Sequence, residues 1–259
     1  MSNVDVTGFS TESGSRKADR VRLLAQPLTV VVVVGAVLVW AFTRTNDEIE
    51  SQSIQTGVLL TKTWEHLLIT VVVTAIVVGV AVPLGAMLTR RWAKPVAPVF
   101  IGIANIGQAA PALGVLVLFF LWTGWEGLWA AALPIAFYSL LPVLRNTIVG
   151  IQAVDPALVD AAKGIGMSPR AVLMRIEMPL ALPLILAGMR TSLVLAVGTA
   201  TLAFFVNGGG LGELVDTGYK LNRPSVLVVG AVLAVGLALL VDWLGALAEE
   251  YLGPKGLSS

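Results

Sequence analysis

Few side chains in this 259-residue sequence are equipped for covalent or acid–base chemistry. There is no cysteine and a single histidine, His66. Disulfides, thiolate metal sites and cysteine nucleophiles are therefore excluded, and a histidine-based metal site or triad lacks partners. No G-x-x-x-x-G-K-[ST] phosphate loop is present, nor even a Gly-Lys dipeptide, so the chain cannot cradle ATP phosphates in that way. What it offers instead is one polar segment with an internal pattern, Gln152 to Pro179. Asp155-Pro156 is an N-cap followed by proline at the first helical position. The helix it opens runs through Leu158, Val159, Ala161 and Ala162 and stops at Gly164 or Gly166. Ser168-Pro169 repeats the start signal for a second helix through Val172, Leu173 and Ile176 to Pro179. The small Ala161-Ala162 pair permits close backbone approach, and Gly166 permits a left-handed turn. Val159, Ala161, Ala162, Met167 and Val172 then form apolar surface that either seats in a groove on another protein or folds back on the rest of the chain. The chemistry on offer is packing, against another protein or against the chain's own bundle.

The rest of the chain must hold that segment, and its composition says how. It is 56% hydrophobic and 13% charged, with 26 glycines and a mean hydropathy of +0.86. A soluble globule cannot hide so much apolar surface, so this is an all-α integral membrane protein. The net charge of +1 gives no field for nucleic acid. Six stretches are long enough to span: Pro27–Thr43, Leu67–Thr89, one within Val99–Trp125, Gly127 to about Val149, about Leu180–Val206, and Pro224 to about Leu247. Arg16, Lys17, Arg20, Arg22, Arg90, Arg91, Lys94, Arg145, Lys163, Arg170, Arg175 and Lys255 fall on one side, against Arg44, Lys62, Lys220 and Arg223 on the other. The positive-inside rule puts both termini in the cytoplasm, and the location is a cell (cytoplasmic or inner) membrane. The first span has a basic flank like a signal peptide, but no small-x-small site follows Phe42, so it reads as an uncleaved anchor. The expected organisation is a disordered tail at 1–26, the anchor at 27–43, a transmembrane domain at 60–250 containing the loop 150–179, and a short tail at 251–259.

Within the loop, Asp160-Ala161-Ala162, three residues, Gly166, nine residues and Ile176-Glu177-Met178-Pro179 resemble the EAA signature of ABC importer permeases, E-A-A-x3-G-x9-I-x-L-P. Asp160 replaces the glutamate and Met178 the leucine, keeping charge sign and apolar character. Gly164 to Ser168, Glu177 to Pro183, Ala187 to Thr191, Gly198 to Leu202 and Gly208 to Gly212 are similar to the osmoprotectant branch, which imports glycine betaine, choline, carnitine or proline. The resemblance covers roughly 60–250. It implies a type I importer permease fold in which Asp160, Ala161, Ala162, Gly164, Gly166, Met167, Ser168 and Pro179 couple to a separate cytoplasmic ATPase. It also implies an extracytoplasmic binding protein and a second or paralogous permease. ATP and magnesium would be used by the ATPase, with no cofactor in this chain and no catalytic residue.

Other polar residues have two readings each. Asn105 and Gln108, three apart before Pro111, either glue helices together or line a translocation pathway. Thr199, Thr201 and Asn207 stand the same way, since threonine often bonds back to its own helix. Arg190 reads as an anchor near the inner interface, with Asp242 as its partner. Trp122, Trp125 and Trp129 read as an aromatic belt rather than a cation cage, and His66 as an interfacial residue. Gly208-Gly209-Gly210 reads as a flexible connector, leading to Glu213, Asp216, Lys220 and Arg223 on the face that would receive a binding protein. Two rivals remain: an importer of another small substrate such as an amino acid, and a secondary transporter or channel. The absence of an acidic residue in the middle of any span counts against the latter.

Overall fold

The computed structural model describes residues 11–44 and 47–252, with side chains from Ala25 onward. The described elements are all helical. Helix α1 runs Thr11–Thr43, α2 Glu48–Ser53, α3 Thr56–Leu88, α4 Ala97–Ala109, α5 Ala112–Thr123 and α6 Leu128–Gln152. They are followed by α7 Pro156–Gly164, α8 Pro169–Val172, α9 Met178–Ala200, α10 Gly212–Lys220 and α11 Pro224–Leu252. Helix α1 already begins at Thr11, so it covers most of the tail expected to be disordered; residues 1–10 lie outside the described residues.

Five helical stretches are long and apolar enough to cross a membrane: Ala25–Thr43, Thr56–Leu88, Leu128–Gln152, Pro169–Ala200 and Pro224–Leu252. The stretch expected as a third span is instead two helices, α4 and α5, bent by 101°. Ala110 is extended (ψ 145°), as a residue before proline prefers, and Pro111 supplies no amide to continue the ladder. Neither half crosses alone: twelve or thirteen residues make only about 18–20 Å of helix against roughly 30 Å of hydrocarbon.

The core is a three-helix unit in which α6 packs most extensively against α9 and α3. Small residues bring these backbones together, as expected where lipid supplies no hydrophobic drive between helices. A Cβ on Gly85 would lie 2.8 Å from the Thr147 side chain, and one on Gly188 2.8 Å from the Pro142 carbonyl oxygen. Helix α11 lies against α9, and α1 lies against α11 at the periphery, where Gln26 Nε2 donates to the Leu239 carbonyl (3.0 Å). Helix α2 locks the other end of α11. Its capping box pairs Asp47 with Glu50, Ser225 donates to the buried Glu50 carboxylate, and Arg223 is within ion-pair distance of Asp47 without hydrogen-bond alignment.

Arg190 joins α9 to α11 as expected. Its Nε and one terminal nitrogen fork onto Asp242 at 2.7 and 3.0 Å, and the other terminal nitrogen reaches Glu249 at 3.2 Å. Gly245 makes room for the Arg190 stem. Removing the cation alone leaves two carboxylates uncompensated, and the group is about one third exposed, so the cost is nearer ~1–2 kcal/mol than that of a fully buried pair. Arg190→Leu is expected to lower the melting midpoint in detergent by a few degrees. The double variant with Asp242→Leu should recover part of that loss; no recovery would show that the fork itself is not what stabilises the contact.

Candidate functional site: a coupling helix at one end and a charged cavity at the other

At one end of the bundle, local capping chemistry shapes α7. Asp155 Oδ1 accepts the Ala157 amide at 2.8 Å, with Pro156 beginning the helix. The helix closes on Gly166, whose φ is +87°. The Met167 amide donates to the Ala162 carbonyl (3.1 Å) and the Gly166 amide to the Lys163 carbonyl (2.9 Å), the paired bonds of a Schellman ending. Ser168 Oγ then caps α8 by accepting the Ala171 amide at 3.3 Å.

Two expectations for this segment need correction. The second helix does not stop at Pro179: α8 runs through a π turn at Leu173–Glu177 straight into α9. A widened turn relieves the clash between a proline ring and the preceding carbonyls and accommodates Pro179 without breaking the rod. The exposed face also differs. Ala162 and Val172 are buried at 5% and 2% exposure, because α7 folds onto α8, and Val159 and Met167 are half-buried. The apolar residues left outward are Leu158 (49%), Ala161 and Ile165 (81%), spaced i, i+3, i+7 on one stripe. Asp160 sits beside it, paired with Lys163 at 3.2 Å, with both side chains exposed.

Glu177, read only as part of a motif, is 7% exposed and held by Arg90 (2.5 Å) at the end of α3. Arg90 also donates to Thr89 Oγ1 at 2.8 and 3.1 Å. The rod that leaves α7 is thereby tied to a second spanning helix. Only the unexpected burial of an acid outside any apolar run marks this pair, and sequence alone does not reveal it.

The opposite end holds an open cavity of about 670 Å³. Lys62 on α3 lies between Glu65 (3.1 Å) and Glu213 of α10 (2.6 Å), and Asp216 pairs with Lys220 at 2.8 Å. Phe204 and Phe205 line the cavity, their ring centroids 4.2 Å apart. Gly208-Gly209-Gly210 is no free connector here. Gly209 and Gly210 have φ of +75° and +90°, and the Gly210 amide donates to Glu65 Oε2 at 2.9 Å. A Cβ on Gly209 would overlap the Glu65 carboxylate.

His66 likewise departs from its expected interfacial place: it is fully buried. Its Nδ1 accepts the Leu211 amide at 3.3 Å, which fixes Nε2–H as the donor to the Val197 carbonyl at 3.0 Å. The polar ends of Glu65 and His66 are both satisfied by the loop and by the end of α9, which is why a histidine can be buried at this position.

The five residues weighed for a pathway separate. Asn207, at φ 56°, lines the cavity and donates to Glu126 at 2.7 Å. Thr199 and Thr201 bond back to the Leu195 and Gly198 carbonyls, each at 2.6 Å, and Thr201 borders an adjoining cavity of about 430 Å³. Asn105 is exposed and Gln108 half-buried on α4 just before the elbow, away from either cavity. Trp122, Trp125 and Trp129 are exposed at 84%, 53% and 56%, as a belt requires, although Trp125 also meets Phe119 edge-on at 6.1 Å.

Against known families, residues 81–251 match the model of the binding-protein-dependent transport system inner membrane component. This chain belongs to that family. The permease is 44% identical over 201 residues to the choline transport system permease protein OpuBB of Bacillus subtilis, spanning 78% of this chain and 91% of that one. It is 43% identical, over the same shares, to the glycine betaine/carnitine/choline transport system permease protein OpuCB of the same organism. Among solved structures it superposes on the MetNI methionine ABC transporter in an inward-facing conformation. That match has a TM-score of 0.66 and 23% identity, and covers 76% of this permease and 97% of that chain. At that identity the likeness speaks for the fold alone. The permease is thus an all-α, multi-pass membrane protein with the type I importer fold, as the EAA-like segment implied.

Proposed function

We propose that this permease is the translocation subunit of an ATP-driven importer of compatible solutes, of the glycine betaine, choline, carnitine or proline type. The observation that carries the coupling half of this reading is the Leu158–Ala161–Ile165 stripe on α7, offered to solvent on a helix continuous in its capping and packing with α8 and α9. The substrate half is supported by the names of relatives more than 40% identical.

In this reading the α7 end and both termini are cytoplasmic. The stripe, with Asp160, Ala162, Gly164, Gly166, Met167, Ser168 and Pro179 supporting its shape, seats in a groove on a cytoplasmic ATPase that binds ATP and magnesium. An extracytoplasmic binding protein delivers solute to the α10 end. When ATP closes the ATPases, α7 moves with them. The α8–α9 rod carries the displacement into the span, and the Arg90–Glu177 pair shares it with α3. Two permeases, identical or paralogous, face each other. The elbow between α4 and α5, with the exposed Asn105 amide, suits the face between them, because irregular backbone and bare amides are tolerated at membrane depth only beside protein or water. Asn207, Thr199 and Thr201 stand nearer the α10 end of that route.

Reconstitution with an ABC ATPase and an extracytoplasmic binding protein from the same organism tests the proposal. ATP-dependent accumulation of radiolabelled choline or glycine betaine in proteoliposomes is the expected result. Accumulation without ATP or without the ATPase would replace the reading by a secondary transporter or channel.

A further inference from the structure

The cavity at the α10 end has chemistry that the coupling reading does not use. Phe204 and Phe205 stand side by side, and Phe205 keeps 47% of its surface exposed. The two rings and Asp216 border both the 670 Å³ cavity and the adjoining 430 Å³ one, so each has open space beside it. Tyr219 adds a third ring on the side of the smaller cavity and is 77% exposed. Exposed rings at a membrane protein's end are common, but here they border a recess that also holds carboxylates.

The charges in the recess are unequal. Glu65, Glu213 and Asp216 face only Lys62 and Lys220. Lys62 is committed to both Glu65 and Glu213. Asp216 has only Lys220, four residues along its own helix, whose side chain is 65% exposed. Such a pair is weak and readily exchanged. Asp216, itself 21% exposed, is therefore the carboxylate with the most readily exchanged partner, and it borders the same two cavities as the aromatic rings.

A quaternary ammonium group has no N–H to donate. It is held by ring quadrupoles and by nearby negative charge rather than by hydrogen bonds. Aromatic faces with one exchangeable carboxylate match that requirement. An inorganic cation would need a convergent set of oxygens, and the described residues hold no cluster of three metal-binding side chains. Lys220, once released from Asp216, is a counter-charge for the carboxylate of a zwitterionic solute.

We propose that Phe204, Phe205 and Asp216 form a binding site for a quaternary ammonium group in the recess at the α10 end, a way station between the binding protein and the pathway. The site rests on the compatible-solute reading for its physiological ligand, and its chemistry can be tested apart from transport. The permease–ATPase complex in nanodiscs, without binding protein, is titrated with radiolabelled choline. The competitor is 3,3-dimethylbutan-1-ol, which has choline's shape without its charge. Choline is expected to bind, with the uncharged competitor at least about tenfold weaker.

Phe205→Ala should weaken choline about tenfold, Phe205→Tyr should restore it, and Asp216→Asn should weaken choline while leaving the competitor unchanged. Equal displacement by the uncharged isostere overturns the site. So does choline binding that is absent in the wild-type complex, or indifferent to both Phe205→Ala and Asp216→Asn. ATP-driven choline uptake by the wild-type complex with its binding protein is measured alongside. Uptake with no such binding removes the site and leaves the importer standing, whereas binding without uptake of any compatible solute, proline included, supports the site and removes the importer reading.

Discussion

Ile165→Asp should abolish ATP-driven uptake while leaving the permease folded. Ile165 is 81% exposed at the end of the α7 stripe, so the free permease loses almost no packing when it is replaced. If α7 docks on the ATPase as proposed, the same position is desolvated in the complex, and a carboxylate buried there without a partner costs ~2–4 kcal/mol. That corresponds to roughly a thirty- to thousandfold loss of ATPase affinity. Gly166→Asp attacks the same surface through the backbone. No atom lies within 4 Å of a Cβ at Gly166, so no steric clash results. However, its φ of +87° costs an L-residue about 1–2 kcal/mol and loosens the Schellman ending that aims α7. Uptake should fall in both variants, more steeply in the first, and the ATPase should no longer co-purify with Ile165→Asp. Helical content and melting midpoint should stay within a degree or two of wild type for Ile165→Asp. Normal uptake by that variant would mean that α7 is not the docking element.

What was legible in the sequence was what local chemistry decides. Asp155, Gly166 and Ser168 are read correctly because caps and left-handed turns depend on a few neighbouring backbone groups. Arg190 and Asp242 find each other because two opposite charges at similar depth in apolar spans have few alternatives. The misses came where tertiary packing decides. Pro83, Pro134, Pro142 and Pro183 sit inside unbroken helices, whereas Pro111 marks a 101° elbow. Nothing within a few residues of these prolines distinguishes them, since neighbouring helices determine whether a missing bond is tolerated.

The outward face of α7 was misjudged for a related reason. Leu158, Val159, Ala161 and Ala162 surround a short helix, and only the fold of α7 onto α8 decides that Ala162 turns in and Leu158 out. His66 and Glu65 were missed as a pair because their partners are main-chain amides of a glycine loop some 145 residues away. Backbone partners leave no side-chain signature to find.

Among the described glycines, Gly212→Ala should be the most damaging single-carbon addition. A Cβ on Gly212 would overlap the Thr201 carbonyl oxygen and crowd the Thr201 carbonyl carbon and Cα. All three are backbone atoms at the junction of α9 with the turn Ala203–Val206, so no side-chain rotation relieves the overlap. Helix α10 would have to move as a body. Its other face is also tight, since a Cβ on Gly218 would overlap the Leu227 backbone and one on Gly230 of α11 would lie 2.8 Å from Leu214 Cβ. Overpacking at one site commonly costs ~1–3 kcal/mol and more where nothing can shift, and here the displacement also disturbs the Glu65–Gly210 and His66–Leu211 contacts. The expected result is a melting midpoint at least several degrees lower, or loss of the folded protein from the membrane. Gly198→Ala is the matched control, in the last turn of α9 with no atom within 4 Å of an added Cβ. There the helix should gain about 0.5–1 kcal/mol from reduced backbone entropy. Equal behaviour of the two variants would show that α10 is not wedged against α9, and the cavity at that end would then lack the rigid wall on which its geometry depends.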